Sequence, residues 1–168
     1  MIFVTVGTAG GGIEFTRLVR EMDRVAGQLD EDVLIQRGTV TYEPVHARHV
    51  RFLRFDEAMA QFRQADLIVG HCGAGTVLNA LRFRKPIILV PRRADAGELD
   101  TDDHQLELAR LFAGVRGVRV VEDTQDLLEA VRALRARPEE RPESSPDRRR
   151  LLRSVSAFLA GAARSGRA

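Results

Sequence analysis

The feature that most constrains the fold is a regular alternation of short aliphatic runs with longer segments of helical periodicity. The first run, MIFVTV, is followed by a glycine loop and then by FTRLVREMDRVAGQL, in which apolar residues recur at helical spacing. Further strands are predicted in DVLIQRG, VRFLRF, ADLIVG, KPIILVP and VRVVED. This alternation predicts an α/β fold, with a mostly parallel Rossmann-like sheet and helices on both faces.

Helices fill the intervals between these runs, and the composition suits such a layered core. They are predicted over EAMAQFRQA, residues 74–84, HQLELARLFAG and TQDLLEAVRALRAR. Hydrophobic residues make up 44% of the chain but aromatic residues only 5%, so we expect an aliphatic core. One cysteine excludes an internal disulfide framework, and no apolar run has the length of a membrane span or a secretory signal. The chain is therefore expected to be cytoplasmic.

The domain boundary is predicted from a change in composition after residue 137. Residues 1–137 form the α/β domain, residues 138–147 (PEERPESSPD) form a linker with three prolines, and residues 148–168 form a basic C-terminal helix. Residues 132–168 contain ten arginines against four acidic side chains. Such a tail can contact an anionic membrane, a nucleic acid or an acidic partner, or it can simply be solvated.

The stretch GHCGAGT, residues 70–76, leaves a predicted strand and enters a predicted helix. A nucleotide P-loop needs a lysine after its last glycine, but Gly75 is followed by Thr76. A dinucleotide fingerprint needs a third glycine where this chain has Leu78, and the next strand ends in VPR without an acidic residue for an adenosine ribose. ATP hydrolysis and NAD binding are therefore not expected.

The same stretch has the properties of a helix N-terminus prepared for an anion. Small residues at Gly73, Ala74 and Gly75 leave backbone amides uncovered, Thr76 offers a hydroxyl, and His71 lies at the strand tip. These groups and the helix dipole suit a phosphate or diphosphate. Taken alone, Thr76 is equally well an ordinary N-cap and His71 a core histidine. The neighbouring cysteine is interpreted as a small buried residue and not as a nucleophile.

A second candidate cluster lies at a predicted helix start about thirty residues downstream. His104 and Gln105 follow an acidic loop and present neutral donors and acceptors, which suit a hydroxyl-rich ligand such as a sugar. On its own the pair is also typical of a plain surface helix. No second histidine or carboxylate stands at ligand spacing on that helix, so no metal site is predicted.

Three blocks in fixed order carry a resemblance to a known family: MIFVTVGT, ADLIVGHCGAGTVLNALRFRKPIILVP and DHQLELA. Together they resemble the C-terminal, donor-binding domain of the GT-B glycosyltransferases of family 28. Within that group they are most similar to the short subunits of Alg13, PssE and EpsF type. The resemblance covers roughly residues 1–130. It implies that the chain binds a nucleotide sugar.

The resemblance also implies roles for individual residues. It places the UDP-sugar diphosphate on His71 and on the Gly73 to Thr76 segment, and the donor sugar on His104 and Gln105. The remaining implied binding residues are Gly7 and Thr8 in the first loop, Asn79 at the ribose, and Phe55, with Met59, near uracil. Two departures stand out: many relatives place a glutamate where this chain has Asn79, and Gly10–Gly12 replaces a less flexible loop.

The function implied by the resemblance is that of the donor-binding half of a split, inverting and metal-independent transferase. An Alg14/PssD-like membrane-anchored partner would carry the acceptor side and the base, so no catalytic residue is assigned here and the UDP-sugar is a substrate, not a cofactor. The acceptor would be a lipid-linked saccharide in polysaccharide or exopolysaccharide synthesis. The chain would then lie peripherally at the cytoplasmic membrane and bind no nucleic acid. The alternative is a non-catalytic nucleotide-sugar binding or regulatory module.

Overall fold

The computed structural model describes residues 1–7, 13–94, 96–98 and 104–137. Its strands are β1 (Ile2–Thr5), β2 (Val33–Gln36), β3 (Arg48–Val50), β4 (Leu67–His71), β5 (Ile87–Val90) and β6 (Val118–Val120). Its helices are α1 (Thr16–Ala26), α2 (Phe55–Gln64), α3 (Ala74–Arg82), α4 (His104–Phe112) and α5 (Leu127–Arg135), with a short 3₁₀ turn at Thr124–Asp126 before α5.

The strands form one parallel sheet in the order β3-β2-β1-β4-β5-β6. The chain winds outward from β1 in one direction, then returns to the centre with β4 and winds outward in the other. The order therefore reverses between β1 and β4, where Thr5 lies opposite Gly70. In such sheets ligands bind outside the carboxyl ends of the strands at this reversal. The predicted α/β, Rossmann-like fold is confirmed.

Alternating side chains of the strands supply two apolar layers. In β1, Ile2 and Val4 face the layer that contains α1 and α5, whereas Phe3 faces the layer that contains α2, α3 and α4. Phe3 meets Phe62 of α2 edge to face, with ring centroids 5.3 Å apart. Because both faces are covered, β1, β2 and β5 are buried along their whole length. The central strands thus give the site a fixed base.

A buried carboxylate fixes the connection between β2 and β3. Asp23 of α1, only 1% exposed, accepts hydrogen bonds from the Tyr42 hydroxyl at 2.7 Å and from the backbone N–H groups of Val45, His46 and Ala47 at 2.8–3.0 Å. Burial alone would raise the pKa of Asp23, but these four donors lower it below its usual value. The described connection between β2 and β3 is therefore held in place by hydrogen bonds to this carboxylate, in the absence of a helix or strand of its own.

Two boundaries differ from the sequence prediction. The run VRFLRF was expected to be a strand, but β3 is Arg48–Val50 and the chain turns outward after it. Helix α2 already begins at Phe55, because the Glu57 side chain accepts a hydrogen bond from the Arg54 N–H at 2.8 Å and caps the first turn. The predicted linker at 138–147 and the helix at 148–168 lie outside the described residues. No helix in the described part is long and apolar enough to cross a membrane.

Replacing Asp23 by asparagine tests its role as an anchor. An amide offers one acceptor oxygen in place of two, so buried N–H groups lose partners and the free energy of unfolding should fall by about 1–3 kcal/mol. Urea denaturation at neutral pH measures the loss, with exposed Asp30→Asn as the matched control. Because the folded-state pKa of Asp23 is lowered, its contribution is present above the unfolded pKa of about 4 and lost as pH falls through the folded value. An advantage of wild type over Asp23→Asn that persists undiminished at the lowest accessible pH would contradict this account.

Candidate functional site

Both glycine loops open at the same edge of the sheet, beside the reversal in strand order. Gly7 follows the end of β1, and Gly73 follows the end of β4 and directly precedes α3. The two loops begin side by side because parallel strands end at the same edge of a sheet. Thr8 and the rest of the first loop, residues 8–12, lie outside the described residues.

The His71 imidazole lies between these two glycines. A Cβ atom at Gly7 would come within 2.4 Å of Cε1 of His71, and a Cβ atom at Gly73 within 2.3 Å of Nε2. Gly7 also has a φ of +78°, in the region that side chains disfavour. The two glycines therefore make room for the ring, a requirement that the sequence pattern alone did not reveal.

The imidazole is neutral at physiological pH. Burial, followed by the charge of Arg92, lowers the pKa of His71 to about 4, while a hydrogen bond with the backbone of Thr5 acts in the opposite direction. Its Nδ1 lies 3.3 Å from the Thr76 hydroxyl oxygen. A neutral ring has one N–H donor and one acceptor nitrogen, so the bonds with the Thr5 backbone and the Thr76 hydroxyl hold the ring in a fixed orientation.

The first turn of α3 has no cap from its N-cap residue. Gly73 occupies that position in an extended conformation and has no side chain to offer. A Cβ atom at Gly75 would meet nothing within 4 Å, so the space above the turn is open. Thr76 is buried as the third residue of the helix and directs its hydroxyl toward His71, so the N-cap interpretation of Thr76 is wrong. The N–H groups of Ala74, Gly75 and Thr76 have no acceptor among the described residues, whereas the Gly73 N–H donates to the His71 carbonyl at 2.8 Å. The positive end of the helix dipole lies at the same turn.

Two other residues of the stretch are structural. A Cβ atom at Gly70 would lie 2.9 Å from Cγ2 of Thr76 and 3.1 Å from the Thr5 carbonyl, so this glycine serves the close packing of β1, β4 and α3. Cys72 is fully buried in the apolar layer, and burial raises the pKa of its thiol to about 12. The cysteine therefore remains protonated, which confirms its interpretation as a small buried residue.

The remaining predicted residues lie at different distances along this edge. Gln105, in the first turn of α4, accepts a hydrogen bond through Oε1 from the Arg92 N–H at 3.1 Å. Asn79 lies partly buried one helical turn after Gly75, and Phe55 begins α2 with 75% of its surface exposed. Met59 is partly buried on the same helix. His104 is the first residue of α4, and its side chain lies outside the described residues.

A buried arginine that the sequence analysis did not select lies beside this site. Arg92, 3% exposed, follows β5, and its guanidinium donates to the Val6 carbonyl at 3.1 Å and to the Glu98 carbonyl at 3.4 Å. The Glu98 carboxylate is held in turn by Arg17 of α1 through two hydrogen bonds of 3.0 Å. The only sequence signal for this residue was a charged side chain directly after a buried strand.

The described residues do not supply a metal site. Across residues 1–7, 13–94, 96–98 and 104–137, no three His, Cys, Asp or Glu side chains are grouped so that they could hold an ion. The polar groups of the edge are instead backbone N–H groups, a neutral imidazole, a hydroxyl and two amides. Such a set suits a phosphorylated ligand with hydroxyl groups.

Comparisons with known proteins point to one family. Residues 1–156 match the family described as the glycosyltransferase family 28 C-terminal domain. The chain is 32% identical over 101 residues to the zeaxanthin glucosyltransferase of Pantoea ananas, an alignment that covers 56% of this chain and 22% of that protein. It is 30% identical over 115 residues to the UDP-N-acetylglucosamine transferase subunit ALG13 of Mus musculus, with 64% and 9% covered.

A further relative is the UDP-N-acetylglucosamine--N-acetylmuramyl-(pentapeptide) pyrophosphoryl-undecaprenol N-acetylglucosamine transferase of Opitutus terrae. The identity is 34% over 103 residues, which cover 61% of this chain and 25% of that protein. The aligned part thus spans a quarter or less of each of these three relatives.

Solved structures share the fold. The glycosyltransferase of kitacinnamycin superposes with a TM-score of 0.60 at 19% identity, over 96% of this chain and 40% of that one. The solution structure of ALG13 gives a TM-score of 0.54 at 20% identity, over 86% of this chain and 88% of that one. At these identities the likeness concerns the fold.

Two alanine substitutions test the packing of the imidazole. Gly73→Ala drives a methyl group into Nε2 of His71, and we expect a loss of about 1–3 kcal/mol in the free energy of unfolding. Gly75→Ala, two residues later, meets open space within a helix and should be neutral or stabilise by up to about 1 kcal/mol. Thermal and urea unfolding of both variants measures the difference. Equal stabilities would refute the close approach of the ring to Gly73.

Proposed function

Because the chain belongs to the family of glycosyltransferase family 28 C-terminal domains, we propose that it is the donor-binding part of a glycosyltransferase that uses a UDP-sugar. The observation that carries this proposal is the open first turn of α3 beside a neutral His71, at the reversal of strand order. Exposed N–H groups and a helix dipole at this position suit the diphosphate of a nucleotide sugar.

The chemistry of transfer explains why such a site would help. As the glycosidic bond breaks, negative charge grows on the departing diphosphate. Donors fixed in advance at that position stabilise the transition state more than the ground state, and removal of one such donor in enzymes typically costs about 3 kcal/mol. The amides of α3 and the Thr76 hydroxyl are the donors that we assign, and we propose that the His71 ring contacts the diphosphate beside them. With this set we propose an inverting transfer that requires no metal ion.

The contacts of Gln105 support a role at the donor sugar. Its Oε1 is occupied by the Arg92 N–H, so the orientation of the amide is fixed and its NH₂ group is available to a hydroxyl. Asn79 lies four residues after Gly75 on the same helix face, which suits a contact with the ribose hydroxyls. The exposed ring of Phe55 offers an apolar surface for uracil at the same edge. We assign Gly7, Thr8 and His104 to the site by the family resemblance.

The relatives support an acceptor and a partner of a definite kind. One relative is named as a subunit of a transferase, and another is named for an acceptor on pyrophosphoryl-undecaprenol. We propose a lipid-linked saccharide acceptor in polysaccharide synthesis, and an Alg14/PssD-like membrane-anchored partner that supplies the acceptor site and the base. The chain would then work on the cytoplasmic side of the membrane, held there by its partner.

Calorimetric titration with UDP and a panel of UDP-sugars tests donor binding. Thr76→Val removes a hydroxyl at the proposed diphosphate site and should weaken UDP by about tenfold, or about 1.4 kcal/mol. Gln105→Ala should leave UDP affinity unchanged but reduce the discrimination among sugars. Exposed Gln28→Ala, two residues after the end of α1, is the matched control for the amide. Absence of UDP binding by the wild-type protein at millimolar ligand would rule out the proposed site.

A transfer assay separates an enzyme subunit from a binding module. We expect the isolated chain to be nearly inactive, and co-expression with an Alg14/PssD-like membrane protein from the same operon to restore transfer to a lipid-linked acceptor. The measurement is release of UDP together with extension of the lipid-linked saccharide. Binding of the donor without transfer in the assembled complex would favour the non-catalytic module.

A further inference from the structure

Three segments of the site meet at one buried residue, through its side chain and its backbone. The loop after β1, the His71 ring and the first turn of α4 come from distant parts of the chain, and each interacts with Arg92. We propose that Arg92 is a positioning residue, which holds Gly7, His71 and Gln105 in one arrangement for a nucleotide sugar. This inference rests on the proposed function for its ligand, but not for its geometry.

The first link is the hydrogen bond between the Arg92 guanidinium and the Val6 carbonyl. Val6 directly precedes Gly7, whose backbone lies against the imidazole of His71. Because a Cβ atom at Gly7 would already overlap the ring, a small displacement of this loop must move the ring or leave a gap beside it. The guanidinium therefore fixes one wall of the space that His71 occupies.

The second link is through the backbone of Arg92. Its N–H donates to Oε1 of Gln105 and thereby ties the start of α4 to the end of β5. A displacement of the backbone at Arg92 would move this N–H and change the direction in which the Gln105 amide points. The orientation of the proposed sugar contact thus depends on how firmly Arg92 is held.

Arg92 itself is held firmly, although its burial is costly. The guanidinium packs over the Phe15 ring at 4.8 Å and donates to the Glu98 carbonyl, while the Glu98 carboxylate is clamped by Arg17 and by the Arg93 N–H. Its Nε is buried without a hydrogen-bond partner among the described residues. A buried charged group with an unsatisfied donor lowers the stability of a fold. Its presence here therefore indicates a role other than stability, and positioning of the site is such a role.

The charge of Arg92 gives the proposal an electrostatic signature. Together with burial it keeps His71 neutral, so the ring enters the complex as an uncharged donor and acceptor. The other charged or titratable groups that pack nearby are Cys72, whose thiol stays protonated, and the ion pair of Glu98 with Arg17 at 3.0 Å. The acidic residues at 100, 102 and 103 lie outside the described residues.

Two substitutions separate charge from geometry. Arg92→Met removes the charge, and in the ligand-free protein the pKa of His71, measured by NMR, should rise above its value of about 4. Arg92→Lys keeps the charge but cannot reach the Val6 and Glu98 carbonyls together. In that variant we expect a low His71 pKa and an affinity for UDP-N-acetylglucosamine about tenfold weaker, with UDP less affected. Exposed Arg132→Met is the control for loss of one positive charge.

The outcomes distinguish this inference from the proposed function. An upward shift of the His71 pKa in Arg92→Met supports the positioning role even where the wild-type protein binds no UDP-sugar, a result that would remove only the proposed function. Two results would show a purely structural arginine and overturn the inference. One is an unchanged His71 pKa in Arg92→Met. The other is an unchanged sugar affinity, together with reduced thermal stability, in Arg92→Lys. If Arg92→Met does not fold, Arg92→Lys decides by the ratio of sugar to UDP affinity.

Discussion

The close contact of one imidazole with two glycine backbones is the constraint on which this site depends. His71 ends the central strand β4, and its ring fills the space that side chains at Gly7 and Gly73 would otherwise occupy. That contact brings together the loop after β1 and the start of α3, which are about 65 residues apart in the chain. It also places a neutral polar ring where the first-turn amides of α3 are open. A parallel sheet with covered faces supplies the rigid base that such close packing requires.

Much of this arrangement was predictable from the sequence because the fold follows from short-range patterns. Alternating aliphatic runs and helical segments gave the α/β class, and parallel strands require their carboxyl ends to lie at one edge. The meeting of the two glycine loops followed from that requirement. The open helix start was predictable from Gly73 to Gly75, because glycine and alanine cannot cap the turn with a polar side chain.

What remained unpredictable were contacts between residues far apart in the chain. Arg92 is buried because Val6, Phe15 and Glu98 surround it, and no local pattern in VPRR indicates those neighbours. The shortened β3 has a similar origin, since α2 is capped by Glu57 and takes over the end of the apolar run VRFLRF. Thr76 lies inside the helix, as the predicted range of residues 74–84 requires, and the N-cap position falls on Gly73, which has no side chain to reveal that role in the sequence.

The Arg17 side chain has a mechanical consequence for the domain as a whole. It extends from α1, the helix that connects β1 to β2. It donates to the Pro91 carbonyl after β5, to the Glu98 carboxylate and to the Glu122 carbonyl after β6. One guanidinium thus braces both wings of the sheet across the crevice. These hydrogen bonds oppose relative movement of α1 and the described segments that follow β5 and β6. In the described part of the chain, this edge therefore offers a ligand a rigid base.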